Sequence, residues 1–213
     1  MTSLHSAKLL ARRFSERAHD LRYGIRTSGL ITPKALGHAD PDALEYSAVS
    51  YAPLKRLLAT VVPDPQKDIF IDWGCGMGRV LTLASTYPYR EVIGVELSTP
   101  LCGLAEQNLS RARVKRVCGK VTIANADALE YPIPDNASVM FFASPFRGEL
   151  LRRVVLRIRD SWLKHPRLVT LLVFNQSEFV RDTGSADWLR RESVRKEFPR
   201  ASSCVIRSLW PAG

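Results

Sequence analysis

The stretch IFIDWGCGMGRV, residues 69–80, carries more architectural information than any other part of the chain. An apolar run of strand length reaches Asp72, and Gly74, Gly76 and Gly78 follow at alternate positions as a helix begins. Glycines in such a turn permit positive φ and let a ligand approach the main chain with no Cβ in the way. Spacing then selects among ligands. The dinucleotide fingerprint G-x-G-x-x-G puts its third glycine at position 79, which is Arg79 here, so NAD and FAD are disfavoured. The nucleoside-triphosphate loop needs Gly-Lys-Ser/Thr after a four-residue gap, and no lysine follows the turn. A tight strand-to-helix connection without any ligand uses the same glycines, so both readings stay open on this stretch alone.

Outward from the turn, apolar runs of strand length alternate with segments of helical period, the signature of an α/β protein whose parallel sheet is covered by helices on both faces. The pattern predicts strands at 68–73, 91–96, 121–126, 138–144 and 168–175. It predicts helices at 42–61, from 78 onward, at 99–112 and at 148–163. Beyond Asn175 the alternation stops; a short polar stretch leads to two β-compatible segments, 188–198 and 203–210, which flank Pro199 and read as a closing antiparallel hairpin. Residues 20–40, with Gly24, Gly29, Pro33 and Gly37, read as a mobile linker or substrate-side loop. The division implied is a basic N-terminal helix and linker over 1–40, then one domain over 41–213.

The 213 residues suffice for one domain, and 46% hydrophobic with 24% charged residues is a globular composition. No apolar run approaches the roughly 18 residues of a membrane span. Cys75, Cys102, Cys118 and Cys204 form no C-x-x-C pair and are read as reduced thiols of a cytoplasmic protein. His5, His19, His38 and His165 lie in no metal-ligand spacing. The net charge of +10 is uneven, with balances of +4 over 1–40, −1 over 41–146 and +7 over 147–213. Basic flanks around a neutral centre point to nucleic acid or an acidic protein surface as partner, or to a solvated basic face. In the Arg- and Ser-rich segment 2–26, Leu4, Ala7, Leu10, Ala11, Phe14, Ala18 and Leu21 fall at helical spacing. This pattern suits an amphipathic helix docking on the domain through its apolar stripe, or an organellar targeting peptide.

With D-x-G-x-G-x-G at Asp72–Gly78, the chain resembles the class I S-adenosylmethionine-dependent methyltransferases. The resemblance covers residues 45–175 and implies a Rossmann-like fold with a mostly parallel seven-stranded sheet. It also implies S-adenosylmethionine as cofactor, its methionine end over Gly74, Gly76 and Gly78 and its amino group on Asp72. Glu96, ending the next strand in VIGVELS, would take the ribose hydroxyls, and Leu97 would press on the adenine. Asp127 in NADALEY would receive the adenine amino group, with the Ala128 amide toward the ring; alternatively Asp127 caps the segment that follows. A second, weaker resemblance is to the non-SET histone lysine methyltransferases, through Tyr46 and Tyr51 in YSAVSYAPLKRLL. Ala48 and Val49 stand where those enzymes carry polar cofactor contacts, so histone specificity is unsupported, while Tyr46 would shield the methionine end or pack in the core.

Ser144, Pro145 and Phe146 in FFASPFRGE are similar to the fourth motif of amino-directed methyltransferases. There a polar side chain and a proline carbonyl accept hydrogen bonds from the target amine, and an aromatic ring faces the developing charge. The alternative is a strand ending at a Ser-Pro turn above a core phenylalanine. Ser144 lacks the G-x-S-x-G elbow of a hydrolase, and Cys75 is read as a buried, inert thiol. The resemblance implies displacement of the sulfonium methyl by an amine on a protein, nucleic acid or small molecule. The competing reading is a catalytically inactive protein of the same fold that binds RNA or a protein complex through its basic flanks. The sequence specifies neither the acceptor nor the oligomeric state.

Overall fold

A computed structural model describes residues 2–31, 46–183, 186–198 and 201–209. The N-terminal part contains α1 (Thr2–Tyr23), the two-residue strands β1 (Leu30–Ile31) and β2 (Tyr46–Ser47), which pair antiparallel, and α2 (Tyr51–Leu58). There follow β3 (Ile69–Trp73), α3 (Arg79–Ala84), β4 (Glu91–Glu96), α4 (Thr99–Arg111), β5 (Val121–Asn125), β6 (Ala137–Phe142), α5 (Gly148–Lys164) and β7 (Thr170–Phe174). The chain then runs through α6 (Gln176–Thr183), β8 (Leu189–Phe198) and β9 (Ala201–Ser208). Seven strands form one sheet in the order β5-β4-β3-β6-β7-β9-β8. The first five of that order are parallel, and β9 runs antiparallel between β7 and β8.

All five residues of β3 are buried, as expected of a central parallel strand covered on both faces. Alternation divides them between two cores. Ile69, Ile71 and Trp73 face a cluster with Val154, Ile158 and Trp162 of α5. Phe70 faces the opposite cluster, with Leu54 and Leu58 of α2 and Leu81 of α3. Because β4 and β6 flank β3 on opposite sides, the sheet has a topological switch point there, and a crevice opens at the carboxyl ends of these strands.

Three local expectations change. The helix expected over 42–61 is confined to α2, because Tyr46–Ser47 are extended and paired with β1; residues 42–45 lie outside the described residues. The polar stretch after Asn175 is helical, forming α6, whose Phe179 is buried in the core. Within the expected linker, Asp20 receives hydrogen bonds from the amides and hydroxyls of Thr27 and Ser28 at 2.8–2.9 Å, pinning the chain after α1. Residues 32–40 lie outside the described residues.

Candidate active site

The glycine turn is held in shape before any ligand is considered. The amides of Gly74 and Cys75 donate to the Val95 carbonyl, and that of Gly76 donates to Glu96 Oε2 at 2.9 Å. Asn108 of α4 donates to the Met77 carbonyl at 2.9 Å. Gly74, Gly76 and Gly78 have φ of 71°, 52° and 79°, in the left-handed region that side chains with a Cβ adopt at a cost. Close approach adds a second reason at two of them. A Cβ on Gly74 would lie 2.3 Å from Cβ of Pro145, and one on Gly76 would lie 2.2 Å from the Tyr46 ring.

A cleft of about 180 Å³ opens above the turn. It is lined by Tyr46, Asp72, Gly74, Gly76, Glu96, Leu97, Asp127, Ala128, Ser144, Pro145 and Phe146, so the structure brings these sequence-predicted residues together. Gly78 is the correction. It lies outside the lining, and its open side packs on Ala105 of α4, where a Cβ would sit 3.1 Å from the alanine Cβ. Its absent side chain serves helix packing at the start of α3.

The three acids sit differently. Asp72 is buried and its Oδ2 has no hydrogen-bond partner; burial, and secondarily the charge of Glu96, push its carboxyl well above the usual range. Both oxygens of Glu96 already brace the main chain, Oε2 at Gly76 and Oε1 at the Ser98 amide, each at 2.9 Å. A carboxylate oxygen has a second lone pair, so bracing leaves accepting capacity. Asp127 is exposed at the rim, and its Oδ1 accepts the Leu129 amide at 2.7 Å, so it caps its own loop while lining the cleft. Arg157 of α5 donates to the carbonyls of Ala128 and Tyr131, tying that loop to α5.

At the other end, Ser144 follows β6 with φ of 54°, a conformation uncommon for a residue other than glycine and often found where function imposes strain. Phe146 is 8% exposed and meets Phe142 edge-on at 6.4 Å, so it belongs to the core while lining the cleft. Tyr46 donates its hydroxyl to the Thr27 carbonyl at 2.8 Å, and burial raises its phenol, which stays neutral. Burial first, then Asp72, likewise push the Cys75 thiol well up, leaving it protonated and unreactive.

Arg79 is the residue that sequence reasoning used only as a spacing mismatch. It lines the cleft yet is 3% exposed, and it donates to Glu16, Asp20, Thr27 Oγ1, Ser28 Oγ and the Val49 carbonyl. Its guanidinium lies 4.2 Å from the centroid of Tyr51, whose hydroxyl donates to Asp20 at 2.6 Å. An arginine directly after a glycine turn was the available signal, but its acids lie far off in sequence.

A buried carboxyl with one unpartnered oxygen, beside bare main chain and a rim of apolar surface, suits a ligand with one ammonium group and an apolar body. The residues present fit S-adenosylmethionine on this ground. Residues 70–157 match the family model described as a methyltransferase domain. Among solved structures, the chain is similar in fold to an RNA methyltransferase from Salinibacter ruber in complex with S-adenosyl-L-homocysteine. That match has 18% identity and a TM-score of 0.56, covering 78% of this chain and 95% of that one. It is also similar to a SAM-dependent methyltransferase from Aquifex aeolicus, with 14% identity, a TM-score of 0.55 and coverage of 74% and 89%. A ribosomal protein L11 methylase from Lactobacillus delbrueckii subsp. bulgaricus matches with 13% identity, a TM-score of 0.55 and coverage of 73% and 77%. No curated protein matches the sequence. The fold is the Rossmann-like fold of these methyltransferases. Residues 70–157 thus match a methyltransferase domain on a fold shared with these methyltransferases, and the cleft beside the glycine turn is chemically suited to S-adenosylmethionine.

Proposed function

We propose that the chain is a class I methyltransferase that uses S-adenosylmethionine as cofactor, and that the methyl acceptor is an amine presented over the end of β6, with Ser144, Pro145 and Phe146 as the acceptor side of the site. The observation that carries this reading is the contact between Pro145 and Gly74, which brings the segment after β6 against the cofactor turn. When bound, the cofactor supplies an electrophilic methyl on a sulfonium. Asp72 would hold the cofactor's ammonium, Glu96 would accept from its ribose, and the loop at Asp127 and Ala128 would border its adenine. Tyr46 and its link to Thr27 close the turn from water on one side. Ser144 and the peptide carbonyls near Pro145 orient an amine lone pair toward the methyl, so that catalysis is by positioning and exclusion of water. Histone specificity is not proposed, since Ala48 and Val49 line the cleft with apolar surface.

Cell extract, fractionated into protein, nucleic acid and small molecules, is incubated with methyl-labelled cofactor and the enzyme. Label in an amine of one fraction, reduced at least tenfold by Ser144→Ala with cofactor affinity retained, is expected. Cofactor binding without label transfer into any fraction would favour the inactive scaffold. Transfer only to oxygen or carbon would overturn the amine assignment.

A further inference from the structure

The two faces of α1 differ in kind. Its inner face carries Glu16 and Asp20 on Arg79, with His19 stacked on Tyr51 and Tyr23 tilted against it. The apolar stripe expected to dock on the domain points the other way: Leu10, Phe14 and Leu21 are 53%, 71% and 76% exposed. The reason is energetic. A buried arginine requires both carboxylates, and that need outweighs the burial of three apolar side chains.

At 3.6 residues per turn, Phe14 and Leu21 fall within about 40° of Leu10, with Arg17 and Arg13 about 20° and 60° to the other side. Glu16, His19, Asp20 and Tyr23 fall about 180–280° away. Arg13 and Arg17 are exposed, and both acids of the helix are turned inward; Arg22, also exposed, falls about 120° from Leu10, off this face. The outward face between residues 10 and 21 is therefore apolar and cationic, about 17 Å long.

That charge pattern chooses among occupants. A second copy packed across a two-fold axis would set arginine against arginine, and three large side chains offer far less than the roughly 1,200–2,000 Å² of a stable interface. A nucleic-acid backbone would use the arginines and leave Phe14 and both leucines in water. An anionic lipid surface uses both, with apolar side chains sinking to the acyl boundary and arginines reaching back to the phosphates. None of the described helices is long and apolar enough to cross a membrane, so the contact is peripheral.

We propose that α1 docks this enzyme on anionic bilayers by laying Leu10, Phe14 and Leu21 into the interface, with Arg13 and Arg17 on lipid phosphates. The full chain is sedimented with phosphatidylcholine vesicles, with and without about one third phosphatidylglycerol, at low and physiological salt. Binding to the anionic vesicles alone is expected. It should weaken about tenfold in Phe14→Ser and at least as much in Arg13→Glu/Arg17→Glu, with melting temperatures unchanged because these side chains are exposed. The absence of vesicle binding overturns the proposal, as does binding that Phe14→Ser leaves intact. It is equally overturned if, in place of lipid, an acidic peptide or RNA binds in a Phe14-dependent way, or if light scattering finds a dimer that Phe14→Ser dissolves.

Discussion

Replacing Arg79 by methionine tests the buried cluster that ties α1 to the cofactor turn. Methionine keeps most of the volume and removes every hydrogen bond. Two carboxylates, one on Asp20 at 6% exposure, then lose their cation. Breaking a buried pair by removing one partner costs about 3–5 kcal/mol, which for a chain of this size is roughly 10 °C in melting temperature. The assay is calorimetric or fluorescence-detected melting of the single variants Arg79→Met and Asp20→Asn and of the double variant. The double variant should be more stable than the sum of the single losses by 1 kcal/mol or more, roughly, since neutralising Asp20 removes part of the stranded charge. Acid titration supplies an independent sign. Burial acts to raise the Asp20 carboxyl, but hydrogen bonds from Tyr51, the Thr27 amide and Ser28, together with the charge of Arg79, hold it below the ordinary value. The corresponding stability is present in full above about pH 4 and is lost as pH falls through the lower folded-state value. Arg79→Met should flatten that acid limb. A loss below about 1 kcal/mol, or additivity of the two substitutions within about 0.5 kcal/mol, would refute the reasoning.

Asp72 has the opposite sign. Its raised pKa means that the folded, ligand-free protein holds a proton that an ammonium ligand displaces, so affinity for S-adenosylhomocysteine should rise with pH, with proton release measurable by calorimetry in buffers of different ionisation enthalpy. Asp72→Asn should abolish that release, bind weakly and melt higher than wild type at neutral pH, because wild-type stability falls as pH rises above the unfolded carboxyl's value. Gly76→Ala must adopt φ near 52° at a cost of about 1–2 kcal/mol and must move the Tyr46 ring, so cofactor affinity by calorimetry should fall tenfold or more, by that energy scale. Ser144→Gly relieves a left-handed residue and should gain about 1 kcal/mol in denaturant titration while turnover drops; a gain in both would remove Ser144 from the acceptor side.

The sheet was legible because parallel strands buried on both faces are short apolar runs bounded by turn residues, and β4 occupies the span its sequence predicts, Glu91–Glu96. The crevice was legible because Asp72, Glu96 and Asp127 lie at or just beyond the carboxyl ends of consecutive strands, which the α/β pattern sets side by side. The α6 helix was not, since eight residues with a single buried aromatic carry too little periodicity. Gly78 was assigned to the ligand because sequence shows a missing side chain without showing which neighbour needs the space. The orientation of α1 escaped for a related reason: its apolar stripe was visible, whereas the arginine that captures its acids lies on another element. Long-range charge pairing leaves no local periodicity to read.

That separation bears on how the chain assembles as it is made. Asp20 and Arg79 stand 59 residues apart. At about 5–20 residues per second, the acids of α1 are synthesised roughly 3–12 s before their arginine. A helix of that length is only marginal without tertiary contacts, so the segment waits hydrated and fluctuating while β3 and its glycine turn are still being built. The N-terminal segment therefore cannot be pinned against the turn until Arg79 has been made, and its order depends on a partner that arrives late in its own history.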